Sequence, residues 1–71
     1  MDSQIQVVGN NSVMVDGCKK IIEYNDILVR VRTWDLEISV WGNGLMVSGF
    51  GSDMICIYGE IRSVELERVS V

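Results

Sequence analysis

With 71 residues, 48% of them apolar, the chain has room for one domain (residues 1–71) and one modest core, because a domain of this size buries only roughly 60% of the surface its unfolded chain exposes. Ten acidic against six basic residues give a net charge of −4, and the basic ones (Lys19, Lys20, Arg30, Arg32, Arg62, Arg68) are spread along the sequence, a balance that argues against nucleic acid as the main partner. No apolar run approaches the roughly 20 residues needed to cross a bilayer, and no charged start with an apolar core marks a secretion signal, so a soluble, cytoplasmic protein without direct membrane insertion is expected.

Proline is absent, and seven glycines punctuate short runs rich in Val, Ile and aromatic residues. Such runs read as strands. In chain order they are Gln4–Val8, Ser12–Val15, Lys19–Tyr24, Leu28–Thr33, Leu36–Trp41, Leu45–Ser48, Met54–Tyr58 and Glu60–Val69. Alternation is clearest where Val29, Val31 and Thr33 oppose Leu28, Arg30 and Arg32, and where Leu36, Ile38 and Val40 oppose Glu37 and Ser39. One face is apolar and the other mostly charged. Asn25-Asp26, Asp35 and Gly42-Asn43-Gly44 read as hairpin turns, since Asn, Asp and Gly tolerate the backbone angles that tight turns need.

Near the end the phase breaks, because Ile55, Ile57 and Ile61 are odd-numbered whereas Val64 and Leu66 are even. A bulge or corner near Arg62-Ser63 accounts for this and lets one long strand serve two sheets. A weak internal repeat aligns Ile5–Gly17 with Ile38–Gly49, both reading as strand, Gly-Asn turn, strand, glycine. Duplication and convergent turn chemistry explain it equally well. The predicted fold is all-β: a small antiparallel β-sandwich or rolled sheet of about seven or eight short strands joined by tight hairpins.

Catalytic chemistry has little to work with. There is no histidine, which removes the commonest general base and the commonest zinc ligand. Glu23 with Asp26, and Asp35 with Glu37, are the candidate carboxylate pairs, but a solvated strand face is the default for such residues. Gly42-Asn43-Gly44 and Gly49-Phe50-Gly51 lack the extension and following helix of a phosphate-binding loop. Cys18 and Cys56 have no metal-ligand spacing and read as small buried hydrophobes. No enzyme activity, cofactor or metal is therefore expected. The aromatic residues are the better candidates: the alternation puts Trp34 and Trp41 on the outward face, and with Phe50 they form the expected protein-interaction residues.

Taken together, Gly17-Cys18-Lys19-Lys20-Ile21-Ile22-Glu23-Tyr24, then Val29-Arg30-Val31-Arg32-Thr33, Leu36 to Gly42, Leu45-Met46-Val47, and Ile57-Tyr58-Gly59-Glu60-Ile61-Arg62-Ser63-Val64-Glu65 resemble the YabP/YqfC family of bacterial sporulation proteins over nearly the whole chain. Cys18 stands where that family usually has histidine, and Lys20 near a usual glycine. The resemblance implies a non-enzymatic β-sandwich-like protein made during endospore formation and needed for assembly of spore layers such as the coat. It carries over no catalytic or binding residues. The expected partners are further copies of the chain, as a homo-oligomer, and other sporulation or spore-coat proteins, with action in the mother cell at the forespore surface. Two alternatives stand beside this: a binding module for a membrane-anchored sporulation partner, and a carboxylate-based envelope-sugar hydrolase built on Asp35 and Glu37.

Overall fold

The computed structural model describes residues 4–9, 11–50 and 53–69. Six strands account for most of them: β1 (Gln4–Val8), β2 (Ser12–Asp16), β3 (Lys20–Tyr24), β4 (Leu28–Arg32), β5 (Leu36–Phe50) and β6 (Met54–Arg68). They form one open antiparallel sheet in the order β1-β2-β6-β5-β4-β3, and among the described residues there is no helix. The all-β antiparallel expectation holds. The count of seven or eight strands does not, because four of the expected short strands are the halves of two 15-residue strands, β5 and β6.

The difference lies at Gly42-Asn43-Gly44. These residues do not turn the chain back; they form an irregular stretch inside β5, where the register with β6 shifts between Trp41 and Gly42 and again between Asn43 and Met46. Trp41 faces Ser63 and Gly42 faces Ile61, so Arg62 is an extra residue on β6. The phase break expected near Arg62-Ser63 is this bulge. Consequently the two halves of the internal repeat differ in structure: Gly9 sits in the turn between β1 and β2, whereas Gly42 and Gly44 lie within a continuous strand.

The irregular stretch divides the sheet into two halves. In one, β3, β4, the first half of β5 and the second half of β6 lie side by side; in the other, β1, β2, the first half of β6 and the second half of β5 do. Each half has an apolar inner face. Rows such as Val31–Ile38–Leu66 and Val29–Val40–Val64 line the first, and Val13–Ile57–Val47 and Val15–Ile55 the second. Val13, Val15, Val29, Val31, Ile38, Val40, Leu45, Ile57 and Ile61 belong to one buried cluster, so the inner faces of both halves share a core. Complete burial of an Ile or Val side chain stabilises by about 1.5–3 kcal/mol, which makes this cluster the main favourable term.

Close backbone approach makes the corner. A Cβ on Gly42 would collide with the carbonyl oxygen of Glu60. Gly59, at φ 135°, has the Gly44 carbonyl oxygen 2.8 Å and the Asn43 carbonyl oxygen 3.0 Å from where its Cβ would be. The donors released from the regular ladder are satisfied by neighbouring turns: Gly42 N–H donates to the Ile27 carbonyl and Leu45 N–H to that of Asp26, both at 3.0 Å, and Gly59 N–H donates to the Asn11 carbonyl at 3.0 Å. The turns at Asn25-Asp26 and Asp35 form as expected. Asn25 Oδ1 accepts from the N–H groups of Ile27 and Leu28 at 2.9 Å each, and the buried Thr33 Oγ1 accepts from Leu36 N–H at 3.1 Å.

Gly42→Ala is expected to lower stability by about 2–3 kcal/mol, in the range of overpacking that moves backbone. Gly49→Ala, where nothing lies within 4 Å of the added Cβ, should change it by less than about 1 kcal/mol. Urea unfolding midpoints of the two variants check this.

Candidate functional site

The outer faces of the two halves differ in kind. On the half built from β3, β4, the first half of β5 and the second half of β6, cross-strand rows read Lys20–Arg32–Glu37–Glu67 and Glu23–Arg30–Ser39–Glu65. Arg30 is the hub: its guanidinium lies 4.0 Å from Glu23 and 3.7 Å from Glu37, and its Nε donates to Ser39 Oγ at 3.2 Å. Exposed pairs of this kind each contribute about 0–1 kcal/mol, so they order the face more than they hold the fold together. Of the carboxylates considered for catalysis, Glu23 and Glu37 are engaged by Arg30, and Asp35 Oδ1 accepts from Thr33 Oγ1 at 3.4 Å.

On the other half the outward rows mix methionine, Tyr58 and Cys56 with Gln6, Ser12, Ser48 and Asp16. They run Gln6–Met14–Cys56–Ser48, Ser12–Tyr58–Met46 and Asp16–Met54. Cys56 is buried, Met14 and Met54 are half-buried, and Met46 is 63% exposed. Methionine is flexible and polarisable, and a surface rich in it adapts to partners of varied shape. The sequence reading missed this patch because its members come from three strands, and the even numbering of Met14, Met46, Met54 and Tyr58 was the available signal.

The two tryptophans do not come together. Trp34, 57% exposed, stands in the turn between β4 and β5, whereas Trp41 lies at the far end of the paired segment, about 20 Å along the strand. Trp41 is half-buried on the outer face, opposite the buried Leu28, and its Nε1–H donates to Glu65 Oε1 at 3.4 Å. Phe50 ends β5 opposite Met54; its side chain lies outside the described residues, as does Gly51 of the Gly49-Phe50-Gly51 segment.

Around Trp34 the fold gathers charge that is dispersed in the sequence. Lys19, Lys20 and Arg32, half of the basic residues of the chain, line a shallow hollow of about 390 Å³ together with Thr33 and Trp34. Spacing along the chain hides this cluster, because it forms only when Lys20 pairs with Arg32 across β3 and β4.

Exposed apolar side chains concentrate at the strand edges. All five residues of β3 are exposed, including Ile21, Ile22 and Tyr24, and Ile27 follows in the next turn. A bulge at Ile22 interrupts the ladder between β3 and β4. Beyond the corner, the second half of β6 pairs with β5 alone among the described residues, and Leu66 there is 55% exposed. The free edge of β5 in the other half is partly occupied: Val47 N–H donates to the Tyr24 hydroxyl at 3.2 Å.

Both cysteines are free, with Cys18 packed against the core. Among the described residues there is no group of three or more metal-ligating side chains, and no helix is long and apolar enough to cross a membrane.

The model of the YabP family matches residues 1–70. The chain belongs to the YabP family. Its membership makes this a sporulation-related protein. No curated protein and no solved structure matches the chain. In this YabP-family protein the position of Cys18, set between β2 and β3, is fixed by two backbone bonds, Gly17 N–H and Cys18 N–H to the Asp53 carbonyl at 3.1 and 2.8 Å.

Burial pushes the Cys18 thiol above its ordinary value. Its thiolate fraction at neutral pH is accordingly smaller than that of a free thiol. Alkylation of Cys18 in a Cys56→Ser background should be slower than alkylation of a cysteine in an unfolded peptide at pH 8, the gap narrowing as pH rises past the raised value; a mass-spectrometric time course measures it.

Trp34→Ser should leave stability within about 0.5 kcal/mol, as for an exposed turn residue, whereas Trp41→Ser should cost about 1–3 kcal/mol through lost burial and the bond to Glu65. Chemical denaturation of the two variants distinguishes them.

Proposed function

We propose that the protein is a non-enzymatic assembly protein of endospore formation, which works in building spore layers such as the coat through self-association and contacts with other sporulation proteins. The observation that supports this best is the amount of large apolar surface left in water on open strand edges: Ile21, Ile22, Tyr24 and Ile27 on and beside β3, Leu66 on β6, and Val7 on β1 are each more than two-fifths exposed. Edge strands with exposed apolar side chains template pairing with further chains unless something covers them.

The methionine-rich outer face of the other half suits the second part of the proposal. Met14, Met46, Met54 and Tyr58 offer an adaptable apolar surface separate from the β3 edge, which favours a contact with a different protein, such as a membrane-anchored partner that holds this chain at the forespore surface. Trp34, with Lys19, Lys20 and Arg32 beside it, is an aromatic anchor with a cationic surround that suits an acidic protein surface.

Deleting the gene and imaging spore layers by electron microscopy tests the cellular role. The expected outcome is a mislaid or missing layer with normal earlier stages; intact layers overturn it. For the purified protein, sedimentation velocity across a hundredfold concentration range should show mass rising with concentration, with Trp34→Ser shifting the rise to higher concentration. A monomer throughout would refute self-association.

A further inference from the structure

Resting on the proposed self-association, we infer that copies join head to tail, β3 of one copy adding to the second half of β6 of the next. The half-sheet β3-β4-β5-β6 has two open edges, β3 on one side and residues 62–68 of β6 on the other. It contains four strands, each antiparallel to its neighbour. With an even number, β3 and β6 run in opposite directions, so simple displacement of one copy beside another sets β6 antiparallel to the incoming β3. The ladder continues without inversion.

The side chains on the two edges match in the same register. The row Ile21–Val31–Ile38–Leu66 crosses the inner face and ends in exposed apolar residues at both sides, Ile21 at 44% and Leu66 at 55%. The adjacent outer row begins with Lys20 and ends with Glu67. Continuing both rows into a second copy sets Leu66 against Ile21 and Glu67 against Lys20, an apolar pair on one face and an opposite-charge pair on the other. Directly opposed pairs of both kinds stabilise a sheet. The like-charged pair in this register, Lys19 with Arg68, falls at the strand ends. Lys19 and Arg32 beside Lys20, and Glu65 and Glu37 near Glu67, extend the complementarity. The bulge at Ile22 ends the regular ladder, which keeps the contact short and reversible. Because the two surfaces differ, the contact is heterologous and propagates, giving open chains of subunits in place of a closed dimer.

Two blocked variants test this. Leu66→Lys with Glu67→Lys removes the β6 edge and leaves β3; Lys20→Glu with Ile21→Glu removes the β3 edge and leaves β6. Each alone should sediment as a folded monomer at concentrations where the parent assembles, and an equimolar mixture should form a one-to-one complex of twice the mass. Milder single changes at the exposed positions, Lys20→Glu and Glu67→Lys, should each weaken assembly at least tenfold in midpoint concentration, and the two together in one chain should restore it. Parent assembly with both blocked variants assembling equally well, or two folded monomers that form no complex when mixed, overturns this inference and leaves self-association standing. A parent that stays monomeric overturns both.

Discussion

The corner at which β5 and β6 pass one another governs the rest of the molecule. Two 15-residue strands paired along their whole length would make a flat ribbon with an apolar face in water; a bend lets that face fold onto itself. The bend is possible because Gly42 and Gly59 bring backbone within the distance a side chain would occupy, and because Arg62 is spliced in as an unpaired residue. The bend frees amide donors, and the turns after β3 and β1 supply the carbonyls of Asp26, Ile27 and Asn11 that receive them. Turn, corner and core are thus one cooperative arrangement, in which loss of the close approach disturbs hydrogen bonds in three elements at once.

The same bend decides what the surface looks like. Shifting register by one residue exchanges the faces of a strand, so β6 presents Ile55 and Ile57 inward before the bulge and Val64 and Leu66 inward after it. What is left outside is methionine and Tyr58 on one half and alternating charge on the other. A single small sheet thereby acquires two outer surfaces of different chemistry as well as edges that differ from each other.

Much of this was readable from the residues. Period-two alternation located β4 and the first half of β5, because burial on one side of those strands is strict, with Val29, Val31, Ile38 and Val40 fully enclosed. The displaced phase of Val64 and Leu66 revealed the bulge, since a change of parity in an otherwise regular strand has few other causes. The misreading of Gly42-Asn43-Gly44 as a hairpin has an equally physical basis: positive φ at Gly44 serves a bulge as readily as a turn, and only the partner strand distinguishes them. Cross-strand groupings were invisible for the same reason. The basic cluster at Trp34 and the methionine patch depend on which strands become neighbours, and local pattern carries no information about that.

The strand order sets a schedule for making the protein. β2 lies beside β6, its neighbour in the sheet but the last of the six strands to be synthesised. An isolated two-stranded hairpin is marginal in water, so β1 and β2 have no lasting place to dock until β6 has been made. The segment from β3 to β5 can form its three-stranded meander during translation, whereas the β1–β2 hairpin waits for β6. Nascent chains therefore carry an unanchored leading hairpin, and a truncation within β6 leaves that hairpin without its seat however intact its own residues are.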